Sequence, residues 1–380
     1  MIISGEASGE LYGSLLALEL KRRIPEILLT GVGGDMMKDA GVKLISGISG
    51  AAGLIEALSS VRQLINTYNL IKKEFKTNRP DLIVLIDFPD FNLKVAKTAK
   101  SLGIKVLFYV SPQVWVWRKG RVNKIARLCN QIAVILPFEE AIYKDADIPC
   151  KFVGHPVMEE IQSLYLNVDA LKQEFSIDPN RPVCAILPGS RHAEIDKHLE
   201  ILAKTVGILK DKHCDLRFIM PLALSINWDK YSAIISEMSQ AGVIMIKGRA
   251  VEALKVSDIA LVASGTATLQ TALLGIPMVV FYKVTPLTFF IGRLITNVTH
   301  ISLPNILAGK EIVPELLQNR MNVRQLVSTF EEIYNNEDKT MSQSLREIIG
   351  LFSDKNPSME VASMIIDMLS EIWVKPQTQL

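Results

Sequence analysis

The chain has 380 residues, 49% of them hydrophobic and 22% charged, which is ample for sizeable cores and excludes general disorder. Lys and Arg number 42 against 40 Asp and Glu, a net charge of +2, without the basic excess of a dedicated nucleic-acid binder. The cysteines, Cys129, Cys150, Cys184 and Cys214, stand singly with no C-x-x-C pair; this argues against a disulfide framework or structural zinc site and fits a reducing compartment.

Short apolar runs alternate with longer amphipathic stretches. The first half has expected strands at Ile2–Ile3, Leu28–Thr30, Leu82–Ile86, Val106–Val110, Gln131–Leu136 and Phe152–Val153. The second has them at Val183–Leu187, Arg217–Met220, Val243–Ile246, Ile259–Val262 and Met278–Phe281. Continuous apolar strands are buried on both faces, as in parallel sheets covered by helices, so the fold class is α/β with doubly wound domains. Strand signals stop between Pro156 and Pro182, where Ser176–Pro182 is rich in turn residues. The expected domains are therefore 1–165 and 175–350. Ser358–Trp373 is apolar at helical spacing and reads as a terminal amphipathic helix.

The mean hydropathy is +0.25, and the run Ile259–Tyr282 carries no charge over 24 residues, long enough to span a bilayer. Ser264–Thr268, Gln270, Thr271 and Gly275-Ile276-Pro277 interrupt it, so it reads instead as strand, glycine turn, helix and strand. The N-terminus meets Glu6 too early, and without basic residues, to be a signal peptide. Only Met1–Ile3 precede the first glycine turn, an unusually short first strand that leaves open an upstream stretch missing through start-site choice or truncation.

Three Gly/Ser-rich turns fall where strands feed helices: Ser4–Glu10 with Ser8 inside it, Pro188-Gly189-Ser190-Arg191, and Ser264-Gly265-Thr266. Backbone N–H groups at helix starts attract phosphate, and Arg191 could grip a diphosphate bidentately. The same turns also serve as ordinary tight connections. Asp87 follows the buried run Leu82–Ile86, at the strand end where open α/β sheets bind ligands. It reads as a general base or equally as a helix cap. Asp90 and Asn92 read as capping and positioning residues. Asp145-Ala146-Asp147 has the form of a diphosphate–metal motif but sits in a turn, and no His/Cys/Asp cluster has ligand spacing, so no metal is expected.

From Phe91 to Phe138 there is no acidic residue but nine bases, with Trp115, Trp117 and Arg118 close together. Such a stretch suits a phosphorylated amphiphile or an anionic membrane, and equally a solvated basic face. Leu54, Leu58, Val61 and Ile65 form an apolar helical stripe, read as core packing or as an acyl-chain or membrane patch. His155 stands alone before Pro156 and reads as structural rather than catalytic.

Taken in order, SGEASGE, GVGG, IDFPDFN, YVSPQVWVWR, LPFE, VGHP, LPGSR, ASGTATLQ, PMVVFYKVTPLT and SLPNILAG resemble lipid-A-disaccharide synthases from residue 4 to about residue 318. The resemblance implies an inverting glycosyltransferase of GT-B architecture: two Rossmann-like halves facing a cleft, with the terminal helix (356–375) returning to the first half or to a partner's. The implied substrates are UDP-2,3-diacylglucosamine and 2,3-diacylglucosamine 1-phosphate, with no metal or other cofactor. The implied setting is cytoplasmic, peripheral to the inner membrane, in a family that can form homodimers by C-terminal exchange, with monomer or exchanged dimer left open. The matching residues imply Asp87 as base or orienting group and Arg191 on the leaving diphosphate. They also imply Asn305 on the donor, Glu6 and Ser8 on the acceptor side, and Gly248–Glu252 beside uracil. Gln270 stands where the family has a glutamate expected to hold ribose, and Glu10 replaces an aspartate. A UDP-N-acetylglucosamine epimerase-like enzyme and a non-catalytic nucleotide-sugar-binding protein are the alternatives.

Overall fold

The computed structural model describes residues 1–5, 7–47, 54–112, 121–164, 167–284, 299–335 and 340–373, with backbone alone for 7, 54–61, 121, 372 and 373. The chain forms two compact units, Met1–Pro156 with the segment from Lys355 onward, and Val157–Asp354. The division thus falls at Pro156/Val157, ahead of the turn-rich stretch that marks it in the sequence.

The first unit holds a seven-stranded sheet: β1 (Ile2–Ser4), β2 (Thr30–Gly33), β3 (Lys43–Gly47), β4 (Leu82–Ile86), β5 (Lys105–Tyr109), β6 (Gln131–Val134) and β7 (Cys150–Phe152). All pairs are parallel, in the order β3-β2-β1-β4-β5-β6-β7. Alternation along β4 explains its continuous apolar sequence. Ile83 and Leu85 enter one core with Ile71, Phe75, Val95 and Phe108. Val84 and Ile86 enter another with Leu16, Leu20, Leu107 and Ile365. Both faces are dry, so neither register tolerates a polar residue.

The second unit holds β8 (Val183–Leu187), β9 (Arg217–Leu222), β10 (Val243–Lys247), β11 (Ile259–Ala263), β12 (Met278–Tyr282) and β13 (Glu315–Leu317). These too are parallel, in the order β10-β9-β8-β11-β12-β13. The uncharged run 259–282 is β11, the helix Thr266–Leu273 and β12. No described helix is long and apolar enough to cross a membrane.

Strands β3 and β13 are additions to the sequence reading. β3 is an edge strand with no fully buried residue, and β13 has three residues, one of them Glu315; neither has a continuous apolar run. β2 lies two residues later than expected. Leu28 is 91% exposed, whereas a Cβ at Gly31 would sit 2.3 Å from the Ile2 carbonyl oxygen, so a glycine is what lets β2 lie against β1.

In the first unit the connections run outward to β3 on one side of the β1/β4 pair and to β7 on the other. In the second they run from the β8/β11 pair to β10 and β13. These are the topological switch points, where the two loops leaving adjacent strands diverge and open a crevice at the carboxyl ends. The loops concerned are Gly5 onward with Asp87-Phe88, and Pro188–Arg191 with Ser264–Thr266. The terminal helix Pro357–Trp373 packs in the first unit against the helix Ala7–Arg23, burying Val361, Ile365, Met368 and Leu369.

Candidate functional site

At the first switch point β1 and β4 are paired through Ser4 and Ile86, so the residues that follow are neighbours. Asp87 and Phe88 both adopt left-handed backbone, φ 50° and 45°, and Val110 at the end of β5 has φ 59°. Such conformations are costly for non-glycine residues, most of all β-branched ones, and cluster at functional sites. Asn92 holds the Asp87 turn from below. It is fully buried, and its amide donates to the carbonyls of Ile86 (3.2 Å) and Asp87 (2.7 Å). A Cβ at Gly5 would fall 2.4 Å from Phe88 ring atoms, so this glycine lets the β1 loop close on the Asp87 turn. Glu10 reaches across to accept the Met36 N–H at 2.8 Å and thereby caps the short helix Asp35–Asp39. Ser8 is half-buried in the first turn of its helix and Asp90 is exposed in the first turn of Pro89–Ser101.

His155 is buried, with its ring edge-on to Tyr12. Burial pushes its imidazolium down to about 3, so it is neutral near pH 7. In the LPFE segment Glu139 is buried and accepts the Leu136 N–H.

At the second switch point the arrangement corrects one expectation. The N–H groups of Ser190 and Arg191 are already taken: both donate to Glu194 Oε2, at 3.1 and 3.3 Å. The first turn of the helix His192–Lys212 is therefore closed by its own carboxylate, the glutamate half of a capping box. The Arg191 side chain stays 70% exposed and contacts Glu194 Oε1 at 3.3 Å. The Ser264–Thr266 turn differs. Gly265 and Thr266 are exposed, and Ser264 Oγ donates to the Ile301 carbonyl at 3.0 Å. Gln270 donates to Glu160 Oε2 at 3.1 Å; burial and the charge of Glu252 hold the Glu160 carboxyl above its ordinary range. Gly248 and Arg249 are both left-handed, and Arg249 pairs with Glu174 and Glu252 over the Phe175 ring.

Asn305 is a second correction. Its Oδ1 accepts from Ile312 and Val313 N–H, and its Nδ2 donates to the Val313 carbonyl and to Glu315 Oε1, at 2.8–2.9 Å. Two lone pairs and two protons are all an amide has, so Asn305 builds its loop and has no bond left for a donor sugar.

Among the described residues no three His, Cys, Asp or Glu side chains are grouped to hold a metal, and Asp145 and Asp147 lie in an exposed turn. Glu6, Trp115 and Arg118 lie outside the described residues, as do the side chains of Leu54, Leu58 and Val61. Ile65 is 55% exposed, while its neighbours Leu64 and Tyr68 pack against the core.

A family model described as lipid-A-disaccharide synthetase matches residues 1–360. Proteins named lipid-A-disaccharide synthase are similar over nearly the whole chain. That of Syntrophus aciditrophicus is 39% identical over 93% of this chain and 92% of its own. That of Geobacter metallireducens is 38% identical over 98% and 97%. The chain belongs to the lipid-A-disaccharide synthase family. Members are glycosyltransferases, and the two-domain α/β fold agrees. S. aureus MnaA solved with UDP has a TM-score of 0.67 at 13% identity, covering 98% of this chain and 96% of its own. The calicheamicin glycosyltransferase CalG4 has 0.63 at 12%, covering 98% of each. At such identity the likeness is one of fold alone.

Within this synthase-family chain the sequence reading missed Glu194, His198, Glu160 and Glu315. Glu194 carried no signal, since three residues before it stands Arg191 and not the Ser or Thr of a capping box. His198, one turn further on, has no motif, and Glu315 is a lone acid in a three-residue edge strand.

Proposed function

We propose that the chain joins UDP-2,3-diacylglucosamine to 2,3-diacylglucosamine 1-phosphate, with Asp87 serving the acceptor and Arg191 the departing diphosphate. The acceptor's 6-hydroxyl oxygen forms a bond to the anomeric carbon as that carbon's bond to phosphate breaks. The bonding pair leaves with UDP, the hydroxyl proton passes to the Asp87 carboxylate or is oriented by it, and attack from the opposite face yields the β-1′,6 linkage. Charge that develops on the diphosphate meets the Arg191 guanidinium. The observation that carries this reading is the Asp87 turn: two successive left-handed residues at the β1/β4 switch point, tied down by buried Asn92.

The test is turnover in mixed micelles containing both acylated sugars, following UDP release and product mass. Asp87→Ala is expected to lower kcat by about a hundredfold or more, and Arg191→Ala by about a hundredfold. Disaccharide formed at the wild-type rate by Asp87→Ala would remove Asp87 from the chemistry.

Peripheral attachment to the inner-membrane surface and dimerisation belong to the same proposal. Exposed Ile65 and Leu70 on the helix Leu54–Thr77 support the first. The second rests on the terminal helix: exchanging Pro357–Trp373 between two copies would preserve its contacts with Ala7–Arg23, a low-cost route to a dimer.

A further inference from the structure

We propose that Glu194 is a positioning residue that aims Arg191, braced by His198. The proposal rests on the reading of Arg191 given above and goes beyond it by saying how an exposed guanidinium is held.

The Glu194 carboxylate is buried, with 5% of the residue exposed, and its two oxygens do different work. Oε2 faces the backbone and accepts from the N–H groups of Ser190 and Arg191. Oε1 faces the side chains, accepting from Arg191 Nη1 and the Tyr282 hydroxyl, each at 3.3 Å. One rigid group therefore fixes both the start of the arginine and the direction of its end. Gly189 shows how closely the carboxylate is packed: its φ is +120°, and a Cβ there would lie 2.5 Å from Glu194 Oε2.

His198, four residues on along the same buried helix face, is fully enclosed. Its Nδ1 lies 2.8 Å from the Pro188 carbonyl, and its Nε2 lies 3.1 Å from the Lys283 N–H and 3.2 Å from the Lys283 carbonyl; the shorter carbonyl contact is the one at Nδ1. A peptide N–H can only donate, so Nε2 accepts and Nδ1 carries the proton that goes to Pro188. The ring, edge-on to Phe281 and Tyr282, thus fastens the turn to the end of β12, from which Tyr282 reaches Glu194. The 3.3 Å contact to Arg191 is long for a charge-assisted hydrogen bond, so the guanidinium is oriented without being locked away from a diphosphate. The resident carboxylate also fills the amide positions that an anion would otherwise take, which leaves the arginine side chain as this turn's contribution to the leaving group.

The test is a double-mutant cycle on turnover in mixed micelles, with thermal melting of each variant. Arg191→Ala alone comes first: undiminished turnover would overturn the reading of Arg191, before any statement about Glu194. With that loss in hand, Glu194→Gln is expected to lower kcat about tenfold or more but to change it less than about twofold when Arg191 is already alanine. Tyr282→Phe, which leaves the turn backbone untouched, is expected to cost about threefold and to be silent in the same background. Losses of equal size with and without Arg191 would overturn the proposal, since a residue that only maintains the fold acts whatever stands at 191. Wild-type kcat in both Glu194→Gln and Tyr282→Phe would overturn it as well.

Discussion

Asn305 shows how a residue that looks like a ligand contact turns out to be a scaffold. Its four hydrogen bonds hold Ile312, Val313 and Glu315. The Glu315 carboxylate in turn takes the N–H groups of Ile301 and Ser302 and the Ser302 hydroxyl. Asn305→Ala would leave buried donors and acceptors unpaired, and is expected to cost about 2–4 kcal/mol of stability by denaturant titration. UDP affinity of the folded fraction should be unchanged; full stability with lost UDP binding would restore the ligand role. His155 makes a different prediction. Its pKa is about 3 in the folded protein because of burial, against about 6.5 in an unfolded chain. Between those values the unfolded state binds the proton and the folded state does not. This residue's contribution to stability is therefore intact above pH 6.5 and falls by about 1.4 kcal/mol per pH unit on acidification. His155→Gln should flatten the pH dependence of Tm between about pH 6 and 4. An unchanged slope would mean that the ring takes up its proton in the folded state.

Elements with a continuous apolar run were legible in the sequence. β4, β8, β11 and β12 lie where Leu82–Ile86, Val183–Leu187, Ile259–Val262 and Met278–Phe281 place them, within a residue, because a strand dry on both faces admits nothing polar. β3 and β13 left no such trace, being at sheet edges. The glycine turns were legible as turns, but what fills them was not. Glu194 closes the Pro188–Arg191 turn from the helix that follows, and only the helical backbone brings it there. The close approach of Gly5 to Phe88 likewise depends on the pairing of β1 with β4. Gly5→Ala is expected to destabilise by about 1–3 kcal/mol through overpacking, since Phe88 is set in a left-handed turn with little freedom to withdraw. Phe88→Ala in addition should recover part of the stability lost, whereas two independent losses would show that the contact is incidental.

At the scale of the molecule, the two-domain α/β design was readable because βα alternation simply recurs after the break near residue 157, and the switch points then place Asp87 and Arg191 at strand ends. The proposed attachment to a membrane is less legible, because an outward apolar stripe and an inward one have the same spacing. The structure separates them in part. The helix Leu54–Thr77 turns Leu64 and Tyr68 to the core and leaves Ile65 and Leu70 in solvent. It packs beside Pro89–Ser101, which packs beside Arg121–Leu128, and between those last two Lys97, Lys124 and Arg127 line a hollow. Apolar and basic groups therefore share the helical layer on one side of the sheet, the combination that binds anionic bilayers. Each base near such a surface contributes about 1 kcal/mol, weakened as salt shortens the Debye length below about 10 Å. Sedimentation with anionic vesicles should carry the wild type down at low salt and less of it as salt is raised. Ile65→Asp should weaken what remains at high salt, and Lys124→Glu with Arg127→Glu should remove mainly the salt-sensitive part. If the triple variant pellets as well as the wild type, this layer is not the docking face.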